Sequence, residues 1–207
     1  MSVRPGTPPD DSLTALAADL PRFATAQPEG PALLDRAMNR LNEPEAQGLV
    51  PHEIYVLELR DVLERFGLNR ARPAGWRYLL RGAPTAPLAI LAADVQVAAG
   101  GRYRMHALDQ GAFPRRTMMA FARLQQDPRV PQHDFVLRLL LFPAGRLRSI
   151  WLRAADRPGF DDDLFYPLND PLKPAGEPPD ILVTHDQMEE MLYAVARAVD
   201  TNDAEAR

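Results

Sequence analysis

The sequence predicts an α+β fold: an antiparallel β-sheet of about five strands with helices packed on it, in the order ααα-βββ-α-ββ-α. Three observations lead there. Apolar residues recur at helical spacing through the first 66 residues. From Trp76 onward the pattern changes to short apolar runs divided by turn signals. Those runs follow one another as hairpins, without the βαβ alternation that builds a parallel sheet.

Residues 1–11, MSVRPGTPPDD, read as a flexible N-terminal arm. Residues 12–70 read as a helical segment. Ser12 is placed to cap a first helix with Leu13, Leu16, Ala17 and Leu20 on one face, and Pro21 to end or kink it. A second helix is expected over 31–42, with Pro31 in its first turn and Leu33, Leu34, Ala37, Met38 and Leu41 as its stripe. A third is expected over 51–66, opened by Pro51 and closed by Gly67 as a left-handed cap. Ile54, Tyr55 and Val56 offer a competing strand at 54–59. The Asp61/Arg65 pair at i,i+4 favours the helix.

Residues 71–200 read as the α+β domain. Strands are expected at 76–82, 88–98 and 102–108, with Gly100-Gly101 as a hairpin turn between the last two. A helix over 114–126 follows. The clearest hairpin is DFVLRLLLF-PAGR-LRSIWLRA. If Phe142 faces Leu147, one side carries Phe135, Leu137, Leu139, Leu141, Ile150 and Leu152 as a core face. The other carries Val136, Arg138, Leu140, Phe142, Ser149, Trp151 and Arg153, with Arg138 opposite Trp151 at cation–π range. Residues 155–183, rich in proline and aspartate, read as a long loop that Phe165-Tyr166 docks locally. The last helix, about 185–200, has Thr184 and Gln187 as a capping box and Val183 and Met188 as a hydrophobic staple. Residues 201–207 read as an acidic tail.

Charge is sorted along the chain. Residues 60–157 hold 17 Arg against 7 acids, while 1–59 hold 4 basic and 9 acidic groups and 158–207 hold 3 and 12. A near-neutral total of −4 therefore hides a basic middle between acidic arms. Such a middle attracts an anionic partner, or the chain's own acidic ends.

Several chemistries lose their residues. The single lysine, Lys173, sits in Leu-Lys-Pro, away from any Schiff-base or phosphate-loop setting. Without cysteine there is no disulfide, thiolate metal site or cysteine nucleophile. The three serines, Ser2, Ser12 and Ser149, lie outside any Gly-x-Ser-x-Gly elbow. His133-Asp134 and His185-Asp186 read as turn and capping residues, and Asp161-Asp162-Asp163 as a solvated turn. No metal and no cofactor are expected. Neither a signal peptide nor a membrane span is visible, which gives a cytoplasmic expectation. The Arg-for-Lys bias suggests a GC-rich bacterial genome.

The expected function is that of a non-catalytic, protein-binding accessory module. Arg102, Arg104 and His106 share one face of their strand by period 2, and Arg138, Trp151 and Arg153 share a face of the hairpin. Together they would engage the acidic surface of a protein partner, with the 155–183 loop gating or competing. A nucleic-acid or phosphorylated-ligand binder using the same face is the alternative. A hydrolase using His106 or His133 beside a carboxylate is the second. Leu140, Phe142 and Leu147 need a cover, from the N-terminal helices or from another chain, and the latter would make a homodimer.

Overall fold

The computed structural model describes residues 3–25, 35, 38, 49–65, 67–80, 91–173 and 181–205. Its elements are β1 (Val3–Arg4), α1 (Asp10–Thr25), β2 (Leu49–Val56), α2 (Leu59–Leu63), β3 (Arg72–Leu80), β4 (Leu91–Val97), β5 (Tyr103–Asp109), α3 (Ala112–Leu124), β6 (Phe135–Phe142), β7 (Leu147–Ala154), β8 (Leu164–Pro167), β9 (Val183–Thr184) and α4 (His185–Glu205). The fold is α+β with a large, mostly antiparallel sheet. Among the described residues the strands number nine, not about five, in the hydrogen-bonded order β5-β4-β3-β2-β6-β7-β8-β9, with β1 beside β6. The second expected helix lies outside the described residues except for Asp35 and Met38, which are helical. Residues 81–82 and 88–90 of two expected strands, 174–180 of the expected loop and 206–207 of the tail also lie outside them.

Four expectations are overturned. Residues 51–66 do not make one helix: 49–56 form β2, and only the short α2 follows. The β-branched and aromatic Ile54, Tyr55 and Val56 prevail, and burial alternates at His52 and Ile54 as in a strand. The i,i+4 pair on α2 is Arg60–Glu64, at 2.6 Å, rather than Asp61–Arg65. The N-terminal arm is not a free end, because Val3 and Arg4 pair in parallel with Phe135 and Val136; the residue before Pro5 is biased to extended backbone. Ser12 is not an N-cap. Helix α1 starts two residues earlier and runs past Pro21 to Thr25, held by the fully buried Leu16, Leu20 and Ala24. Finally, 155–183 is not a bare loop, since β8 and β9 form within it and Leu164 to Pro167 are all buried.

Two compact units make up the chain: Met1–Arg4 with Ile54–Pro73 and Met119–Arg207, and Pro5–Glu53 with Ala74–Met118. In the second, α1 lays Leu16, Leu20 and Ala24 on Trp76, Tyr78, Leu80, Leu91, Ala93, Val95 and Met105. Alternate positions of β3 and β4 supply this face, as the pleat requires. The hydroxyls of the buried Ser12 and Tyr78 hydrogen-bond to each other. On β3 and β4 the buried Arg77 and Asp94 form a bidentate pair, with both bonds at 2.6 Å. Gly100 and Gly101, at φ 90° and 76°, turn β4 into β5, with Ala98 N–H donating to Arg102 O at 2.8 Å.

In the first unit the β6–β7 hairpin has the expected register, Phe135↔Ala154 through Phe142↔Leu147. Its second face is not solvated. Helix α4 covers it with Met188, Leu192, Val195 and Ala196 against Leu140, Phe142, Leu147 and Trp151. Each of the buried Leu, Val, Met and Phe side chains contributes roughly 1.5–3 kcal/mol. The near-continuous apolar run of β6 is the signature of a strand buried on both faces. The apolar residues that called for a cover thus have one from their own chain, which removes the ground given for a homodimer.

Helix α4 begins as expected. Thr184 N–H donates to Gln187 Oε1 at 3.0 Å, and Gln187 N–H to Thr184 Oγ1 at 3.4 Å. It continues through Glu205, so the expected tail is helical over 201–205. Thr184→Ala is expected to cost about 1 kcal/mol in urea unfolding, the usual worth of a cap. Among the described residues no helix is long and apolar enough to cross a membrane.

Candidate functional site

The six residues singled out on the sheet fall into two groups, one in each unit, and behave differently. In the first unit Trp151 is buried, and Arg138 and Arg153 are half-buried beside it. Trp151 is 1% exposed, stacked on Phe165 and edge-on to Tyr55. The Arg138 guanidinium lies over both rings, 4.5 Å from Tyr55 and 5.0 Å from Trp151, as the pairing register requires.

Asp163 ties this group together. Its carboxylate accepts from Trp151 Nε1 at 2.6 Å, Arg153 Nη1 at 3.0 Å and Ala154 N–H at 2.9 Å. It is fully buried, so the third residue of the acidic triplet is not part of a solvated turn; Asp161 and Asp162 are exposed. Burial pushes the Asp163 carboxyl above the usual carboxylate range, against the opposing effect of its three donors. The β7–β8 ladder pairs Trp151 with Phe165 and ends with Leu152 on Leu164, and Asp163, the residue just before β8, meets Arg153 and Ala154 through its side chain. Sequence reasoning missed Asp163 because β8 was taken for loop. The signal was an aspartate leading directly into the apolar Leu164-Phe165-Tyr166.

Arg102, Arg104 and His106 belong to the second unit and stay exposed. Arg104, 66% exposed at its side chain, reaches Asp19 of α1 at 3.3 Å, and the second Asp19 oxygen accepts Met105 N–H at 3.0 Å. The register of β4 and β5 shifts between Asp94 and Val95, whose partners are Ala107 and Met105, so His106 is the extra residue of a bulge. Exposure alternates through Arg102, Arg104 and His106 around the buried Met105, and the bulge breaks period 2 beyond His106. Beside this strand lies a cleft of about 390 Å³ lined by Thr14, Ala15, Ala18, Arg102, Tyr103 and Arg104 and by Asp11 and Asp19.

The acidic arms neutralise part of the basic middle within each unit. Asp19 meets Arg104, Glu58 meets Arg72 at 3.3 Å, Asp162 meets Arg157 at 3.8 Å, and Asp163 meets Arg153. The histidines are dispersed. His133 lies 3.4 Å from Asp156, and His185, in the first turn of α4, lies 3.3 Å from Asp186 and stacks on Phe160. Among the described residues no three His, Asp or Glu side chains converge as metal ligands would.

The class the fold and these surfaces define is an α+β protein with half-buried arginines on a buried aromatic–aspartate cluster in one unit and an exposed basic strand in the other. Compared with protein-family models, with curated proteins and with solved structures, the chain matches none.

Proposed function

We propose that the protein is a non-catalytic binding module that takes an acidic segment of a protein partner on strand β5, with Arg102 and Arg104 as the principal contacts and His106 beside them. The observation that carries this reading is the exposure of both arginines on the strand that ends the sheet order. A strand edge accepts an extended segment, and guanidinium groups bind its carboxylates with two parallel hydrogen bonds. Asp19 is an internal competitor for Arg104, and an incoming carboxylate takes its place there. Arg138, Trp151 and Arg153 leave the contact surface and serve the fold instead. With Trp151 buried, the stacking platform that favoured a nucleic acid is lost.

The test is fluorescence anisotropy with a labelled hexaglutamate peptide. Binding is expected at low salt and weakens about threefold or more when salt rises through the range where Debye screening shortens. Arg102→Glu with Arg104→Glu is expected to weaken it at least about tenfold, with the fold intact because both side chains are exposed. Absence of saturable binding by the unmodified protein, or an unchanged affinity in the double variant, contradicts the reading.

A further inference from the structure

The cleft beside β5 is not uniformly basic. One wall is a single face of α1, where Asp11, Thr14, Ala15 and Ala18 recur at helical spacing, with Asp19 next to Ala18. The other wall is the chain from Gly101 to Arg104. Two aspartates and two arginines therefore share about 390 Å³, and their formal charges cancel. Asp19 and Arg104 are already engaged with each other. Arg104 Nη1 donates to Asp19 Oδ1 at 3.3 Å, and Met105 N–H donates to Asp19 Oδ2 at 3.0 Å. Asp11 precedes Asp19 by two turns of helix, about 12 Å along the axis. Among the described residues the side chains of Asp11 and Arg102 enter no hydrogen bond or ion pair, and both residues are exposed. The cleft thus offers one open anion and one open cation. A wholly acidic segment on β5 uses only the cation.

We propose, as an extension that rests on acidic-segment binding at β5, that the bound segment carries both signs of charge: carboxylates for Arg102 and Arg104, and a lysine or arginine side chain for Asp11. A wholly acidic segment gains Arg102 but brings like charge toward Asp11, and at equal distance that repulsion matches the attraction. A cationic side chain in the same segment turns the repulsion into a second attraction. Its apolar stem lies on Ala15 and Ala18, while its head reaches Asp11. The contact discriminates among acidic segments by where their cations stand. Charged groups at an exposed surface act in this way, giving specificity more than raw affinity.

The experiment is fluorescence anisotropy of the full chain at low salt with four labelled peptides whose termini are blocked and uncharged. Two are Glu-Ala-Glu-Ala-Lys and Lys-Ala-Glu-Ala-Glu. The other two carry glutamine in place of lysine. Spacing by two keeps the charged side chains on one face of an extended segment. In one of the two orders the lysine peptide is expected to bind about threefold or more tighter than its glutamine counterpart, the worth of an exposed ion pair. Asp11→Asn is expected to abolish that preference. Asp10→Asn removes the same charge at an exposed neighbour outside the cleft lining, and the preference is expected to survive it, which separates a direct contact from the field of the whole protein. No saturable binding of any of the four peptides overturns acidic-segment binding and this inference together. Glutamine peptides that bind, and that weaken with Arg102→Glu and Arg104→Glu, while lysine gives no preference in either order, overturn this inference alone. So does a preference that survives Asp11→Asn or is lost equally with Asp10→Asn.

Discussion

Asp163→Ala is expected to lower the free energy of unfolding by about 3–5 kcal/mol, the cost of breaking a buried charge pair from one side. The variant strips the partner from Arg153, 19% exposed at its side chain, and from the buried Trp151 Nε1 and Ala154 N–H at once. Unsatisfied buried donors carry their full desolvation cost. Trp151 then loses the anchor that orients it between Tyr55 and Phe165, so the damage spreads into the core under α4. Asp163→Asn keeps the size and one acceptor and should cost less. Urea unfolding measures both. A loss under about 1 kcal/mol for the alanine variant, the worth of a surface pair, would mean that Asp163 is solvated after all. Through the same network, a combined Arg138 and Arg153 substitution is expected to be a folding defect.

Acid should destabilise the protein through His52. This imidazole is 1% exposed on β2, and its pKa is lowered to about 3, first by burial and then by the charge of Arg77, against a backbone contact with Val50 O. Its ordinary value is 6.5. A histidine depressed on folding contributes stability that is fully present above the ordinary value and is lost as pH falls from 6.5 toward 3. Each pH unit in that window costs about 1.4 kcal/mol. Between pH 7.5 and 4.5 the expected loss from this residue is therefore about 3 kcal/mol. Asp163 acts in the opposite direction, because a raised carboxyl pKa favours the folded state as pH falls through it. The informative quantity is thus the difference between the native chain and His52→Gln, which cannot titrate. The native chain should lose stability more steeply by about 1.4 kcal/mol per pH unit between pH 6 and 4. Parallel pH profiles would show that His52 is not buried neutral.

Local signals were legible wherever chemistry and period agreed. The β6–β7 register followed from the Pro-Ala-Gly-Arg turn and the apolar alternation, and with it the meeting of Arg138 and Trp151. The capping box of α4 followed from Thr184 and Gln187. What stayed hidden was non-local. β2 reads equally as helix until its burial alternation is seen, and β8 is masked by the prolines and aspartates around it. The second face of the hairpin carries Arg138 and Arg153 and so reads as solvated. Only packing shows aromatic rings and Asp163 occupying them. Nor could period 2 register the bulge that ends the alternation after His106. The candidate site was therefore half legible: the exposure of Arg102, Arg104 and His106 was foreseen, and the burial of Trp151 was not.

The most direct measurement is hydrogen–deuterium exchange on the full chain with and without an acidic peptide at low salt. Binding at the exposed basic strand predicts slower exchange over Tyr103–Asp109, with Phe135–Ala154 unchanged. Slower exchange confined to Phe135–Ala154, or none at Tyr103–Asp109 under conditions where the peptide is bound, would contradict it.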